Sequence, residues 1–146
     1  MVALSLAKAE QIADATLATG RQKSIAPLTV VVLDAGGHVI VVKREDGSGI
    51  ARVEIATAKA WGSLGLGFGS RNIAARAARQ PAFYNALASV FDGRMAPVPG
   101  GALIRDAAGE VVGAVGVTGD TSDNDEICAL AGVAAAGLTA DPGASD

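Results

Sequence analysis

The sequence Val30-Val31-Val32-Leu33-Asp34-Ala35-Gly36-Gly37-His38-Val39-Ile40-Val41-Val42-Lys43-Arg44 decides how the first half of the chain folds. Two runs rich in β-branched residues flank a short turn with two glycines, which is the pattern of a β-hairpin. We therefore predict strands over 28–33 and 38–43. The turn places His38, the only histidine of the chain, at the edge of a strand.

A second hairpin is predicted later in the chain, with strands over 102–105 and 110–117. Apolar spacing and capping residues predict helices from Ser5 to about Gln22, over 50–64, 70–78 and 81–88, and after a polar loop over 118–124. Antiparallel hairpins separated by helices indicate an α+β fold with one antiparallel sheet and helices on its faces. We expect a single domain over 1–146, in which residues 141–146 form a frayed tail.

Apolar residues that recur at helical spacing predict the buried face of each long helix. They are Leu6, Ala9, Ala13 and Leu17 on the first helix, Val53, Ala56, Ala60 and Leu64 on the second, and Ile127, Leu130, Ala131, Ala134 and Leu138 on the last.

The composition excludes several classes of protein. Lys and Arg total 12 and Asp and Glu total 15, and this net charge of −3 argues against a nucleic-acid-binding protein. No apolar run is long enough to span a membrane, so we expect a cytoplasmic protein. Cys128 is the only cysteine, which rules out an internal disulfide. Its apolar neighbours favour an inert thiol that packs in the core.

His38 is the first candidate for chemistry. It could be an axial ligand of haem iron, a metal ligand or a general base, or only a turn residue that starts a strand. One histidine cannot supply a multi-histidine metal site. Haem iron needs only one protein ligand, so a single histidine is compatible with haem.

The loop Arg94-Met95-Ala96-Pro97-Val98-Pro99-Gly100-Gly101 is the second candidate. Its glycines expose backbone N–H groups that could approach an anionic or planar ligand, although the loop could also be only a rigid connection. Three cations could pair with carboxylates or propionates, or could be solvated surface charges: Arg44, Lys59 and Arg94.

Three segments carry a family resemblance. They are residues 32–38 with 43–47, residues 54–56 with Lys59 and Ala60, and residues 99–101 with 113–119 and 124–126. Through them the chain resembles the GlcG/HbpS family of haem-degrading domains, which includes the C-terminal domain of PduO-type proteins. The resemblance implies a profilin-like fold with a five-stranded antiparallel sheet. It also implies homo-oligomers, often octamers, and for some members haem binding with redox or haem-degrading activity.

Individual motifs carry over from the family onto this sequence. The Gly-Gly-His turn corresponds to Gly36, Gly37 and His38, and the helix lysine corresponds to Lys59. The Arg-x-Asp-Gly element corresponds to residues 44–47, where Glu45 replaces the more usual Met. Residues 95–98 have no counterpart that we assign.

Three hypotheses about function follow. The first is a haem- or tetrapyrrole-binding homo-oligomer in which His38 binds the iron and charged side chains pair with the propionates. The second is an enzyme that acts on a small catabolic intermediate, with His38 as general acid/base and the glycines near Gly100 placing an oxyanion. The third is a structural or sensory partner protein without a ligand.

The expected ligand site lies between the Gly36-Gly37-His38 turn and the Pro99-Gly100-Gly101 loop, completed by the helix that carries Lys59. The residues assigned to cofactor binding are His38, Arg44, Lys59, Arg94, Gly100 and Gly101. We predict a homo-oligomer because a sheet of this size cannot cover all the Ala-rich helix faces, and exposed apolar stripes usually mark interfaces.

Overall fold

The computed structural model describes residues 3–145, and both predicted hairpins and every predicted helix are present. The bounds agree with the predicted ones to within two residues, except that the last helix begins earlier, at Ser122. The elements are α1 (Leu6–Gln22), β1 (Thr29–Asp34), β2 (Val39–Arg44), α2 (Arg52–Leu66), α3 (Ser70–Arg79), α4 (Pro81–Val90), β3 (Gly101–Arg105), β4 (Val111–Thr118), α5 (Ser122–Ala135) and β5 (Thr139–Asp141).

The strands form one five-stranded antiparallel sheet in the order β2-β1-β4-β3-β5. The expected α+β fold class and the five strands implied by the family resemblance are therefore confirmed. Strand β5 is absent from the residue-by-residue prediction because three residues are too few to show an alternating pattern.

The C-terminal segment differs from the frayed tail that we expected over 141–146. Asp141 ends β5, and the carbonyl of Pro142 accepts a hydrogen bond from the Arg71 N–H at 3.2 Å. The Ala144 carbonyl accepts another from the side chain of Asn72 at 2.9 Å. These bonds hold the segment against α3, while Asp146 lies outside the described residues.

Helices cover both faces of the sheet. In β1, Val30 and Val32 point to a core shared with α1 and α5, whereas Val31 and Leu33 point to a second core under α2. All four side chains are fully buried. Burial on both faces explains why this strand reads as a continuous apolar run and not as an alternating one.

The buried faces of α1 and α5 differ in part from the predicted ones. Leu6 is 61% exposed and Ile127 is 44% exposed, although both were placed on buried faces. The two helices cross where Gly132 meets Thr16, so the face of α5 that carries Cys128, Ala129, Gly132 and Val133 is buried and Ile127 turns outward. Cys128 is fully buried as predicted, and burial raises the pKa of its thiol.

Helices α3 and α4 form a separate unit on the outside of α2. Its core contains Ile73, Tyr84 and Met95, so the Met95 side chain fills a gap between apolar side chains. Within the described chain, α4 packs against α3 and against no other helix or strand. None of the described helices is both long and apolar enough to cross a membrane.

Candidate functional site

The turn between β1 and β2 fixes the orientation of His38. Asp34 ends β1, and its Oδ1 accepts hydrogen bonds from the backbone N–H groups of Gly36 at 2.9 Å and His38 at 3.0 Å. The same oxygen lies 3.1 Å from Nδ1 of the His38 ring. The hydrogen bond from the His38 backbone is the main cause that lowers the pKa of Asp34, so this carboxyl is ionised at neutral pH.

The Asp34 carboxylate determines which nitrogen of His38 is available. A carboxylate only accepts hydrogen bonds, so Nδ1 carries the proton and donates it to Asp34. The Nε2 atom is then the acceptor, on a side chain that is 80% exposed. An imidazole with one nitrogen held by a carboxylate and the other presented outward is suited to metal ligation or proton transfer. The sequence-based hypotheses assigned no function to Asp34, although its i,i+4 spacing to His38 is visible in the sequence.

A shallow depression of about 170 Å³ lies beside this turn, lined by Ala35, Gly36, Gly37, Trp61, Leu64 and Gly65. Gly37 has φ of +84°, and a Cβ there would meet Nε1 of Trp61 at 2.8 Å. The turn and the tryptophan are therefore in close contact. Trp61 was missed at the sequence level, although it is the only tryptophan of the chain and stands in an Ala-rich helix.

Arg94 contacts the same tryptophan. Its guanidinium carbon lies 3.9 Å from the centre of the Trp61 ring, and Phe91 packs edge-on at 5.4 Å between ring centres. The Arg94 side chain is exposed and also donates to the Phe91 carbonyl at 3.1 Å. Of the predicted cofactor-binding residues, His38 and Arg94 are thus brought to one neighbourhood, around Trp61.

Lys59 lies inside the protein. Its side chain is 2% exposed, and its Nζ donates to the Val117 carbonyl at 2.9 Å and to Asp125 Oδ2 at 3.3 Å. Burial lowers the pKa of Lys59 and raises the pKa of Asp125. The predicted pairing of Lys59 with a ligand carboxylate is therefore replaced by an internal ion pair between α2 and α5.

Gly100 and Gly101 allow α2 to pack closely on the sheet, because neither has a side chain that would meet Lys59. A Cβ on Gly100, which has φ of +117°, would lie 2.7 Å from the Nζ of Lys59. The Gly101 N–H donates to Ser70 Oγ at 2.7 Å, so this amide already has a partner within the chain. Their position next to Lys59 was predicted, but they face the packed interior rather than a ligand.

Arg44 lies at the end of β2 that is remote from His38. Its Nη1 donates to the Ser48 carbonyl at 2.6 Å. It borders a second depression, of about 450 Å³, together with Arg21, Pro27, Glu45 and Asp46. Because both signs of charge line this depression, it has no clear preference for an anion.

The two turns that were expected to form one site lie at opposite ends of the sheet. In the strand register, Gly101 is level with Gly116 and Val31, whereas Asp34 is level with Gly113. Three residues of strand separate these levels, which is about 10 Å. Strand β3 runs antiparallel to β4 and so starts at the end where β1 also starts. The Gly36-Gly37-His38 turn and the Pro99-Gly100-Gly101 loop therefore do not converge within one chain.

The sequence matches the model of the family described as haem-degrading protein HbpS-like over residues 4–134. The described residues contain no group of three or more His, Cys, Asp or Glu that could hold a metal ion. None of the curated proteins matches the sequence.

Three solved structures are similar over nearly the whole chain. A complex of PduOC with haem has a TM-score of 0.85 at 24% identity and covers 96% of this chain and 99% of that chain. Protein ORFY of Klebsiella pneumoniae has a TM-score of 0.82 at 27% identity, with coverages of 94% and 93%. The structure of HbpS has a TM-score of 0.79 at 28% identity, with coverages of 92% and 90%.

Proposed function

Because the chain belongs to the family of HbpS-like haem-degrading proteins, we propose that it binds haem or a closely related tetrapyrrole, with His38 as the iron ligand. The observation that carries this proposal is the 3.1 Å contact between Asp34 and Nδ1 of His38, which leaves Nε2 exposed as the ligating atom. Carboxylate–histidine pairs of this kind orient metal-ligating imidazoles and raise their basicity. Bound haem would supply a redox-active iron, which haem degradation requires.

The residues around His38 fit the periphery of a tetrapyrrole. Trp61 lines the depression beside the turn, and the Arg94 guanidinium that lies over its ring can pair with a propionate through two parallel hydrogen bonds. The depression of about 170 Å³ is smaller than the roughly 300 Å³ at the lower end of small-ligand pockets. We therefore place the ligand across the surface of this chain, with one face left for solvent or a second subunit to cover.

Haem titration followed by absorption spectroscopy tests the proposal. The wild-type chain should develop a Soret band with a saturable end point, and His38→Ala should weaken binding and shift the band while the circular dichroism spectrum stays the same. A Soret band of unchanged position and affinity in the folded His38→Ala protein would show that His38 is not the ligand. Absorbance and mass spectrometry of the natively purified protein would identify any ligand that it already carries.

The same pair of side chains favours one alternative, an enzyme that acts on a small catabolic intermediate. Asp34 holds His38 in the tautomer that can accept a proton at Nε2, as a general base requires. In that case His38→Ala should abolish turnover without changing any haem signal. A protein that neither binds haem nor shows turnover would instead be a structural or sensory partner.

We also propose that the protein is a homo-oligomer, in assemblies as large as an octamer. Eight large apolar side chains are exposed in the described chain: Leu6, Val39, Val42, Ile50, Phe83, Val90, Val98 and Ile127. Where such side chains lie next to one another on the surface, they usually mark an interface between proteins. Light scattering at micromolar concentration should give a mass well above the 14.4 kDa of one chain, and a monomeric mass would refute the proposal.

A further inference from the structure

Arg94 carries an exposed guanidinium that has no carboxylate partner. Its Nε donates to the Phe91 carbonyl at 3.1 Å, and its guanidinium carbon lies 3.9 Å from the centre of the Trp61 ring. In the part of the chain that the structure describes, neither of its terminal nitrogens donates a hydrogen bond and no carboxylate pairs with it. Arg71 and Arg105, by contrast, both pair with carboxylates. The terminal nitrogens of Arg94 can therefore receive an anionic group of a ligand.

The backbone of Arg94 is held close to α2, whereas its side chain is exposed. The Phe91 carbonyl accepts the Arg94 backbone N–H at 3.0 Å. A Cβ built on Gly62 of α2 would meet the Arg94 carbonyl oxygen at 3.3 Å and Met95 Cα at 3.0 Å. Because Gly62 has no side chain, the segment lies directly against the helix, one residue beyond Trp61. The base of the Arg94 side chain is thus fixed beside the tryptophan.

The Trp61 ring connects Arg94 to the turn that carries His38. A Cβ on Gly37 would meet Trp61 Nε1 at 2.8 Å, so the ring lies against the residue that precedes His38. Trp61 also lines the depression beside this turn. A planar ligand that stacks on the indole face under the guanidinium has to take the place of the Arg94 side chain.

We propose that Arg94 is a gate that determines specificity: it covers Trp61 in the empty site and moves off the ring to pair with a carboxylate of a planar ligand, which then stacks on the indole. An exposed cation–π contact is weak, whereas a guanidinium that binds a carboxylate makes two charge-assisted hydrogen bonds. The exchange therefore favours a planar ligand with a carboxylate at its edge. A planar ligand without one has to displace the guanidinium with no such gain. The inference rests on the proposed function and adds the chemical class of the ligand.

A second arginine that lies over an aromatic ring supplies a matched control. The guanidinium carbon of Arg76 is 4.4 Å from the centre of the Phe68 ring, and its Nε donates to the side chain of Asn72 at 2.7 Å. Arg76 belongs to α3, which contacts neither strand of the first hairpin in the described chain. Removing Arg76 therefore removes a similar contact away from the candidate site.

Binding of metal-free porphyrins tests the gate, because these probes contain no iron for His38 to ligate. Protoporphyrin IX has two propionates, and its dimethyl ester has the same ring without the carboxylates. The wild type should bind the diacid about 10-fold more tightly than the ester. Arg94→Ala should weaken binding of the diacid and strengthen binding of the ester, because the charge and the cover are lost together. Arg76→Ala should change neither affinity.

Quenching of tryptophan fluorescence measures both affinities at the site itself, since Trp61 is the only tryptophan of the chain. Circular dichroism establishes that each variant is folded. An unchanged ester affinity in folded Arg94→Ala would show that the arginine does not cover the ring, and an unchanged diacid affinity would show that it does not pair with a carboxylate. Either result, or a wild type that binds neither porphyrin, would overturn the gate.

The haem titration of His38→Ala separates failure of the gate from failure of the proposed function. If haem binds through His38 but Arg94→Ala alters neither porphyrin affinity, the gate is wrong and the proposed function stands. If both porphyrin affinities change as expected but His38→Ala leaves the Soret band unaltered, the iron ligand is wrong and the gate stands.

Discussion

The two hairpin turns of the sheet have the same backbone design but different surroundings. In the first, Asp34 accepts hydrogen bonds from the N–H groups of Gly36 and His38. In the second, Asp106 accepts them from the N–H groups of Ala108 at 3.0 Å and Glu110 at 2.9 Å. Gly37 and Gly109 occupy the same left-handed position, with φ of 84° and 83°.

The differences between the turns identify what belongs to the site. The fifth residue is His38 in one turn and Glu110 in the other, and only Gly37 touches a tryptophan, whereas nothing lies within 4 Å of a Cβ built on Gly109. The aspartate and the glycine therefore build the turn in both hairpins, and in the first turn the aspartate also contacts Nδ1 of His38. His38 and Trp61 are what distinguish a candidate ligand site from an ordinary connection, and the second turn supplies a matched control for each change in the first.

The largest expected effect is on haem affinity when the histidine is moved between the turns. His38→Ala should lower the affinity more than about 100-fold, because loss of a ligand exceeds the 10–100-fold cost of losing its supporting residue. The double variant His38→Ala/Glu110→His should not restore it, since the second turn lacks Trp61. Haem titration measures both, and recovery in the double variant would show that an Asp–His turn alone is sufficient.

The next effect is on stability, when alanine replaces the two turn glycines. Gly109→Ala should cost about 1–2 kcal/mol, because a residue with a Cβ is strained in the left-handed region. Gly37→Ala should cost more, because its Cβ also meets Trp61, which Arg94 and Phe91 hold in place. Urea unfolding measures the difference between the two variants. Equal costs would mean that Trp61 moves aside freely.

A smaller effect is expected from Asp34→Asn. The Asn oxygen can still accept the backbone N–H groups, but its amide can donate to Nδ1 of His38 and so favour the tautomer that cannot ligate through Nε2. Haem affinity should fall by about 10-fold or more, with a shifted Soret band. Asp106→Asn makes the same change in the second turn and should leave the haem spectrum unaltered. If the folded Asp34→Asn variant has the same Soret position as the wild type, Asp34 contributes only to folding and not to the orientation of His38.

Much of the fold was accessible from the sequence because its hairpins are local. A short turn joins β1 to β2 and β3 to β4, so runs of β-branched residues and the placement of glycines were sufficient to predict these pairs. The site was harder to predict because its residues are distant in the sequence and come together only when the sheet and the helices pack. The expected convergence of the two turns failed because the β2-β1-β4-β3-β5 order and the antiparallel register put them at opposite ends.

Lys59 shows why the role of a single charged residue could not be predicted. The position of Lys59 among the apolar residues of α2 is compatible with a surface cation. Its partner Asp125 is 66 residues away in the sequence. Only the packing of α2 on glycines 101 and 116 brings the two side chains together in the interior. Trp61 was missed for the same reason, because its contacts come from two distant segments, Gly37 from the β1–β2 turn and Phe91 with Arg94 from the connection after α4.

The smallest expected effect is on the pH dependence of stability. The pKa of Asp34 is below its usual value of 3.8 in the folded chain, chiefly because the backbone N–H of His38 donates to it. A carboxyl whose pKa is lowered by folding contributes stability above its unfolded pKa and loses it as the pH falls through the folded pKa. Wild type should therefore exceed Asp34→Asn in free energy of unfolding at neutral pH, and the difference should shrink as the pH falls below 3.8. Urea unfolding of both proteins across that range measures it, and a difference that stays constant with pH would mean that the turn does not depend on the charge of Asp34.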